Sequence, residues 1–587
     1  MDTGRAQALT QRFNAALKLR PIRPPNLLYL GLLDAMRLAL IQNPDLRMSG
    51  EDVQLARGSL KKAIGPFDSK LNTSIAFNRS YLSQGGALTQ QQLNDIIPAA
   101  LSNVLAGITR NPALVGDLNS LSQSAFLQAE AQAFNQHFDS ISGLIDLDKR
   151  LRNGVDAGIS YTPNFVGPNS NEPVWPPTSH EFSLFLFIPL SKFGNAANDA
   201  EELAALRDYE GSLLTFAQAI NKAASNTLDA YWSCAAALEK LAIADRSLRI
   251  AEALLQFSEE LVKADNIPRT DLALAEAHRT QSFNAETNAL ISVFDAAKQL
   301  AMTLGLTESQ LRHLPLAGAT LPTLTANNLK RLDEERLIDL ALERRFDRKA
   351  ALKGIESKRL LADKARIDLR PDVNLGFNGG LNLTDDSQLG VPGQHGYSLD
   401  PSVTVALTFS YPFANNQREG SVLSTQADLN KSILNLETLS RQITVNIKAN
   451  VETLHDLVSR VEQGTATVRH FTDNLQAMQQ RFLLGATTIV DTISAAENLA
   501  ESETELVDAK LQLAEAIAHL RFESATLLSP NLAYRVPSFP QAVEKLELSR
   551  DTFTTLPDLS REPGPRINDR FYEPNVKYIS GHPPWHR

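Results

Sequence analysis

The sequence predicts an α+β membrane protein, in which long antiparallel helices form coiled coils and short strands form a transmembrane β-barrel shared between protomers. Three patterns predict this. Apolar residues recur every seven positions along helical runs, short stretches alternate apolar with small polar residues, and the same landmarks appear in the same order in both halves of the 587-residue chain.

The repeat sets the frame, because internal similarity decides how the remaining elements are read. Ala39-Leu40, with Asn43-Pro44-Asp45 and a helical run to Ala63, is echoed by Ala341-Leu342, Asp347 and a helical run to Ile367. Arg269-Thr270-Asp271-Leu272 opens a long helix after a break at Asn266-Ile267-Pro268. Ile489-Val490-Asp491-Thr492 opens another after Leu484-Gly485-Ala486. The early landmarks lie 302 positions apart and the late ones 220, so the first half holds about 82 extra residues, around Gln84–Lys149 where the composition changes. Each half reads helix, strand, loop, strand, long helix, turn, long helix.

The long helices are expected at about 195–264 and 269–305 in the first repeat, and at about 417–483 and 488–524 in the second. Leu454, Val461, Val468, Leu475 and Phe482 are spaced by seven, as are Leu499, Leu506, Leu513 and Leu520 beyond the break. In the first repeat the same spacing links Leu241, Leu248, Leu255 and Val262, then Phe283, Leu290, Ala297 and Leu304. A seven-residue period keeps one seam facing a partner helix. A helix of roughly 65 residues reaches on the order of 100 Å.

Strands are expected at about 69–82, 139–162 and 181–191, and at about 372–384 and 402–413. Val373, Leu375, Phe377, Leu381 and Leu383 alternate with Asn374, Gly376, Asn378, Gly380 and Asn382. Val403, Val405, Leu407, Phe409, Tyr411 and Phe413 alternate with Ser402, Thr404, Ala406, Thr408 and Ser410. A period of two sorts these residues onto an apolar face and a polar face, and each stretch is long enough to cross a bilayer when tilted. Within the extra residues, Ile141–Asp148 and Val155–Tyr161 flank a turn ending in Asn153-Gly154, a hairpin signal. The segment 84–138 reads as a polar helical insertion in the outer loop. Two strands per half make four per chain, too few to close a barrel with a lumen. An open edge cannot face lipid, so several copies must share one barrel.

Composition narrows the function classes. A net charge of −10 argues against a nucleic-acid surface. The single cysteine, Cys234, excludes an intrachain disulfide and a cysteine-based zinc site. The stretch Leu27–Ile41 is interrupted by Asp34 and Arg37 and predicts an amphipathic helix rather than a signal core; the sequence as given carries no export signal. There is no GxxxxGK(S/T), HExxH or GxSxG motif, so no catalytic residue, metal ligand or cofactor is expected.

Four stretches, Leu33-Asp34-Ala35-Met36-Arg37-Leu38-Ala39-Leu40-Ile41-Gln42-Asn43-Pro44, Asp229-Ala230-Tyr231-Trp232, Phe187-Ile188-Pro189-Leu190-Ser191-Lys192-Phe193-Gly194 and, most closely, Gly485-Ala486-Thr487-Thr488-Ile489-Val490-Asp491, resemble the TolC-like outer-membrane efflux family. The resemblance covers roughly residues 30–525. It implies a homotrimeric exit duct in the Gram-negative outer membrane, bounded by lipid, with a helical tunnel in the periplasm. A periplasmic adaptor protein and an inner-membrane pump would supply cargo and energy, for efflux or for type I secretion; no nucleic acid is implied. A non-channel coiled-coil scaffold of the cell envelope is the alternative.

The resemblance also implies site residues. Asp491 matches the first of two aspartates that narrow the tunnel mouth, and Ser494 stands at the second position. Adaptor docking would use the hairpin tips: Leu484, Gly485, Ala486 and Thr487 in the second repeat, Ala264, Asp265 and Asn266 in the first. The boundaries so drawn are an N-terminal segment (1–29), the first repeat (30–306), a linker (307–334), the second repeat (335–525) and a proline-rich C-terminal extension (526–587).

Overall fold

The structure is a computed structural model and describes residues 27–81, 137–166, 178–263, 268–330, 332–385, 397–484, 486–528 and 553–557. Strand β1 (Leu27–Leu30) and helix α1 (Leu32–Gln42) lead into α2 (Pro44–Ile64). Then come strands β2 (Ser69–Tyr81), β3 (His137–Arg150), β4 (Asp156–Val166) and β5 (Thr178–Pro189), followed by α3 (Ala200–Lys263) and α4 (Arg269–Leu304). The second half runs β6 (Leu314–Ala317), α5 (Glu334–Arg344), α6 (Phe346–Asp368), β7 (Asp372–Asp385), β8 (Tyr397–Ser410), α7 (Asn416–Leu483) and α8 (Ile489–Glu523). Two compact units result, one of Met1–Pro44, Ile220–Arg344 and Ile443–Arg587, the other of Asp45–Ala219 and Arg345–Gln442. Each sequence repeat contributes to both.

The break between the first two helices of each repeat is made by different chemistry. Asn43 takes an extended ψ of 125°, as a residue preceding proline must; its side-chain amide donates to the Thr303 carbonyl at 2.9 Å. Arg345 takes the same conformation, ψ 129°, with no proline after it, and its guanidinium bonds Asp347 at 3.0 and 2.6 Å.

In the first unit β1 pairs in parallel with β6. Tyr231, fully buried on α3, locks the pair: its hydroxyl donates to the Leu30 carbonyl at 3.0 Å and accepts from the Gly318 and Ala319 amides at 3.1 and 3.0 Å. Helix α4 ends at Gly305 with φ +67°, where a Cβ would stand 2.4 Å from the Gln42 carbonyl oxygen, so no other residue fits without displacing the end of α1. Leu27–Leu30 is thus strand rather than the start of a helix, because its backbone finds a partner within the stretch expected to be a plain linker.

The second unit holds a six-stranded antiparallel sheet in the order β2-β3-β4-β5-β7-β8. The segment 139–162 is two strands, and both belong to this sheet, so the four strands expected per chain become six among the described residues. The turn between them forms as Leu151 N–H donates to the Val155 carbonyl and Gly154 N–H to the Leu151 carbonyl, at 2.8 and 2.9 Å; Gly154 supplies the φ of +90°. Strand β8 starts earlier than expected and stops at Ser410, so Tyr411 and Phe413 lie beyond it, where Pro412 interrupts the ladder. At the foot of the sheet Lys192 bridges Asp368 and Asp372 at 3.0 Å each, and Arg418 also pairs with Asp372. The proposed helical insertion at 84–138 lies almost entirely outside the described residues, as does most of the C-terminal extension.

The heptad positions divide. Leu454, Val461, Leu475, Phe482, Leu499, Leu513 and Leu520 are buried. In the first repeat Leu241 is buried but Leu248, Leu255 and Val262 are only half-buried, and Ile243, Ile250 and Phe257 take the interior instead. On α4 Phe283 is 49% exposed and Leu290 half-buried, but Ala297 and Leu304 of the same stripe are buried, with Ala275, His278, Ser282, Val293, Leu300 and Ala301 beside them. A period of seven fixes a stripe but not its phase, and two apolar stripes compete on α3.

Candidate functional site

Two regions carry the features on which a function can rest. The first is the sheet. Register places Leu71 opposite Leu147, Leu147 opposite Ile159, Ile159 opposite Leu184, and Gly379 opposite both Leu184 and Val403. This face is apolar from one edge strand to the other, and it is uncovered: Ile75 is 85% exposed, with Phe77, Val405, Leu407 and Phe409 also exposed. A soluble protein rarely leaves so continuous an apolar patch open to water. The opposite face is mostly polar, with Phe185 the buried exception on β5. There Asn72 donates to Asp146 and Asp148 at 3.2 and 3.0 Å, and the Ser160 and Ser183 hydroxyls meet at 2.6 Å. One face suited to lipid and one to water is the sorting that a membrane barrel wall requires.

The second region is the hairpin tip of the second repeat. Beneath it Ile250, Leu254, Phe257 and Leu261 of α3, Ala275 of α4, Leu475 and Phe482 of α7, and Ile489, Ile493 and Leu499 of α8 form one buried cluster. Phe257 and Phe482 meet edge to face, 5.2 Å between centroids. This packing fixes where α8 starts. Thr488 is its N-cap and forms a capping box with Asp491. Asp491 Oδ2 accepts from the Thr488 hydroxyl at 2.6 Å, the Thr487 hydroxyl at 2.9 Å and the Thr488 amide at 3.1 Å, while the Asp491 amide donates to Thr488 Oγ1 at 3.3 Å. These donors, the Thr488 hydroxyl foremost, hold the Asp491 carboxyl below its ordinary pKa.

Ser494 is exposed three residues on, as are Leu484 at 82% and Ala486; Thr487 is half-buried. Gly485, Ala264, Asp265 and Asn266 lie outside the described residues. The tips are not equivalent: the N-cap of α4 is Pro268, which offers no side-chain cap, although Asp271 stands where Asp491 stands in α8.

Sequence reasoning missed a buried ion pair between Arg246 of α3 and Glu503 of α8. Burial, with Arg249 nearby, lowers the Arg246 pKa to about 10. Nothing in the spacing marks it, since both residues sit in helices otherwise rich in surface charge. His278 is also buried, its Nδ1 3.5 Å from Glu497, and burial lowers its pKa against the pull of that carboxylate. Among the described residues no group of His, Cys, Asp and Glu could hold a metal ion, and no helix is long and apolar enough to cross a membrane.

Comparison with known proteins agrees with this architecture. The sequence model of the Outer membrane efflux protein family matches residues 337–523. Outer membrane protein TolC of Escherichia coli is 23% identical over 290 residues, 45% of this chain and 59% of that protein; TolC of Salmonella enteritidis is 22% identical over 287 residues, 45% and 58%. The match therefore spans less than two thirds of those relatives. Among solved structures, a membrane protein from Pseudomonas aeruginosa superimposes with a TM-score of 0.58 at 15% identity, over 85% of this chain and 91% of its own. The Campylobacter jejuni CmeC outer membrane channel does so with a TM-score of 0.57 at 12% identity, over 88% and 90%. The sequence of the second repeat thus matches the Outer membrane efflux protein family, and the fold over most of the chain is similar to that of a solved outer-membrane channel.

Proposed function

We infer that this chain is one protomer of an exit duct in the Gram-negative outer membrane, a passive conduit that performs no chemistry. The observation that carries this reading is the six-stranded sheet with one largely apolar, exposed face and two edges, β2 and β8, that have no further strand partner among the described residues. Lipid satisfies the face; only another strand satisfies the edges. The barrel is accordingly closed by several copies, three by the family likeness, and the α3, α4, α7 and α8 segments of the three copies form the tunnel. Leu423, Leu434 and Val445 of α7 are exposed apolar residues that neighbouring copies would cover. An inner-membrane pump and a periplasmic adaptor deliver cargo, the adaptor meeting the tips at Leu484, Ala486 and Thr487 and their first-repeat counterparts.

At the tunnel mouth, three copies of Asp491 and Ser494 form the constriction. The capping hydrogen bonds keep Asp491 ionised, so the ring favours cations and binds multivalent ones. Single-channel recording of Asp491→Ala tests the ring; unchanged selectivity and unchanged block by multivalent cations would remove it. The duct itself is tested by membrane fractionation, heat-modifiable electrophoresis and planar-bilayer recording. A conducting, heat-modifiable trimer from outer membranes is expected. A monomer that stays in aqueous buffer without detergent would instead favour the envelope scaffold.

A further inference from the structure

We propose that the hairpin β3–β4, which has no counterpart in the second repeat, is wall rather than appendage, so that each copy gives six strands and three copies close a barrel of eighteen. This rests on the exit-duct reading and adds the width of the pore to it.

The internal repeat makes the comparison possible within one chain. In the second repeat β7 pairs with the next strand in sequence, β8; in the first, β3 and β4 stand between β2 and β5. An inserted hairpin can cap a barrel, plug it or widen it, and the three differ in register. Here β3 pairs along the whole of β2, from Ser69 opposite Lys149 to Tyr81 opposite His137, and β4 pairs with β5 from Asp156 opposite Phe187 to Asn164 opposite Ser179. Neither strand leaves the sheet to cover a face.

The side chains agree with the ladder. Ile141, Ile145 and Leu147 of β3 and Ile159 and Phe165 of β4 lie on the same exposed apolar face as Leu71 and Phe77 of β2, Leu184 of β5 and Val405 of β8. A plug or cap would instead be polar on both sides or would bury its apolar side. Removing the hairpin on paper leaves β2 beside β5 with every apolar residue still on the outer face, because two strands are lost together. The edges that remain for a second copy are β2 and β8, of 13 and 14 residues, matched in length.

The consequence is a wider lumen. Barrel diameter grows nearly in proportion to strand number, so eighteen strands give a lumen about one and a half times as wide as the twelve that two strands per repeat would give. The barrel is thereby suited to solutes too bulky for the narrower ring.

Two measurements on the full-length protein decide the matter. In the first, Ser74→Cys on β2 is combined in turn with Ser402→Cys, Thr404→Cys, Ala406→Cys or Thr408→Cys on β8; the eight-residue span allows for the unknown register between copies. As a comparison, Asn72→Cys on β2 is combined with Ser183→Cys on β5: the register through Asp146 and Ser160 makes these two positions neighbours only if β3 and β4 stand outside the wall. Disulfides require Cα atoms within about 7 Å, and the native Cys234 is buried. Reducible cross-linked oligomers from at least one Ser74→Cys pair, with no disulfide within the chain from Asn72→Cys and Ser183→Cys, are expected. A disulfide between Asn72→Cys and Ser183→Cys in a conducting trimer would put β2 beside β5 and overturn the proposal while leaving the exit duct intact. No cross-link between copies, in a protein that is monomeric, would overturn both.

In the second measurement, neutral polyethylene glycols are applied from the barrel side in planar bilayers, to the intact protein and to a variant in which a short turn replaces residues 82–177. The largest polymer admitted should be about 1.5-fold wider for the intact protein. Equal cut-offs overturn the proposal. If the variant does not assemble, the cross-links on the intact chain decide alone.

Discussion

Helices α3 and α7 hold the same place in the two repeats, and their C-terminal ends, Lys263 and Leu483, lie 220 positions apart. Leu214 and Leu434 are therefore matching residues of the same type, yet Leu214 is 3% exposed and Leu434 61%. The contrast holds along both helices: no large apolar side chain of α3 is exposed, whereas Leu423, Leu434 and Val445 of α7 are. Duplication gave the two helices one pattern but could not give them one environment. The first became interior to the protomer, and the second was left with an exposed apolar stripe, which on the exit-duct proposal another copy covers.

The largest effect expected from breaking this asymmetry is at the buried ion pair, which has no repeat-related twin, since Phe283 is exposed at the position matching Glu503. Arg246→Ala strands a buried carboxylate and should cost about 3–5 kcal/mol in urea unfolding, whereas Arg246→Met with Glu503→Leu should be near neutral. Equal losses in the single and double variants would show that packing, not charge, is at stake. Next comes the matched leucine pair. Leu214→Ala should cost about 2–5 kcal/mol. Leu434→Ala should change protomer stability by less than about 0.5 kcal/mol while lowering the temperature at which the oligomer separates on electrophoresis. The same loss at both sites would dissolve the distinction between interior and interface.

The two hairpin tips sharpen the comparison on a smaller scale. Thr488→Ala removes the cap of α8 and should cost about 1 kcal/mol, read as faster amide exchange over residues 489–492. Thr270→Ala near the uncapped start of α4 should cost less. Because hydrogen bonds depress the Asp491 pKa, its contribution is complete above the ordinary carboxylate value near 3.8 and disappears as pH falls through the lower folded value; Asp491→Asn should remove that acid-side dependence. The smallest effect belongs to His278. Its folded pKa is lowered by burial, so the unfolded chain takes up the proton first and stability falls as pH drops below about 6.5. His278→Gln should flatten that slope, and an unchanged slope would assign it to other groups.

How much of this was legible in the sequence follows from what each signal encodes. Alternation in β7 and β8 was readable because every second residue is apolar and the other small, which leaves one facing. The β3–β4 turn was readable from Asn153-Gly154, but membership of its strands in the sheet was not, since that depends on ladder partners far away in sequence. The heptad stripe of α7 found its buried residues; that of α3 did not, because Ile243, Ile250 and Phe257 offer a second stripe of equal spacing. At the candidate site the capping box could be read from Thr488 and Asp491 three residues apart, whereas Arg246 and Glu503 look like any surface charges until helix packing brings them together.

The clasp formed by Tyr231 has a consequence for biogenesis. Leu27 meets its strand partner only at Leu314, so β1 waits for that partner until the whole first repeat and the connection after it have been delivered. Such distant parallel pairings close slowly. Once closed, the clasp joins the start of one repeat to the approach of the next, which makes it a late checkpoint that a truncated or misthreaded chain cannot pass.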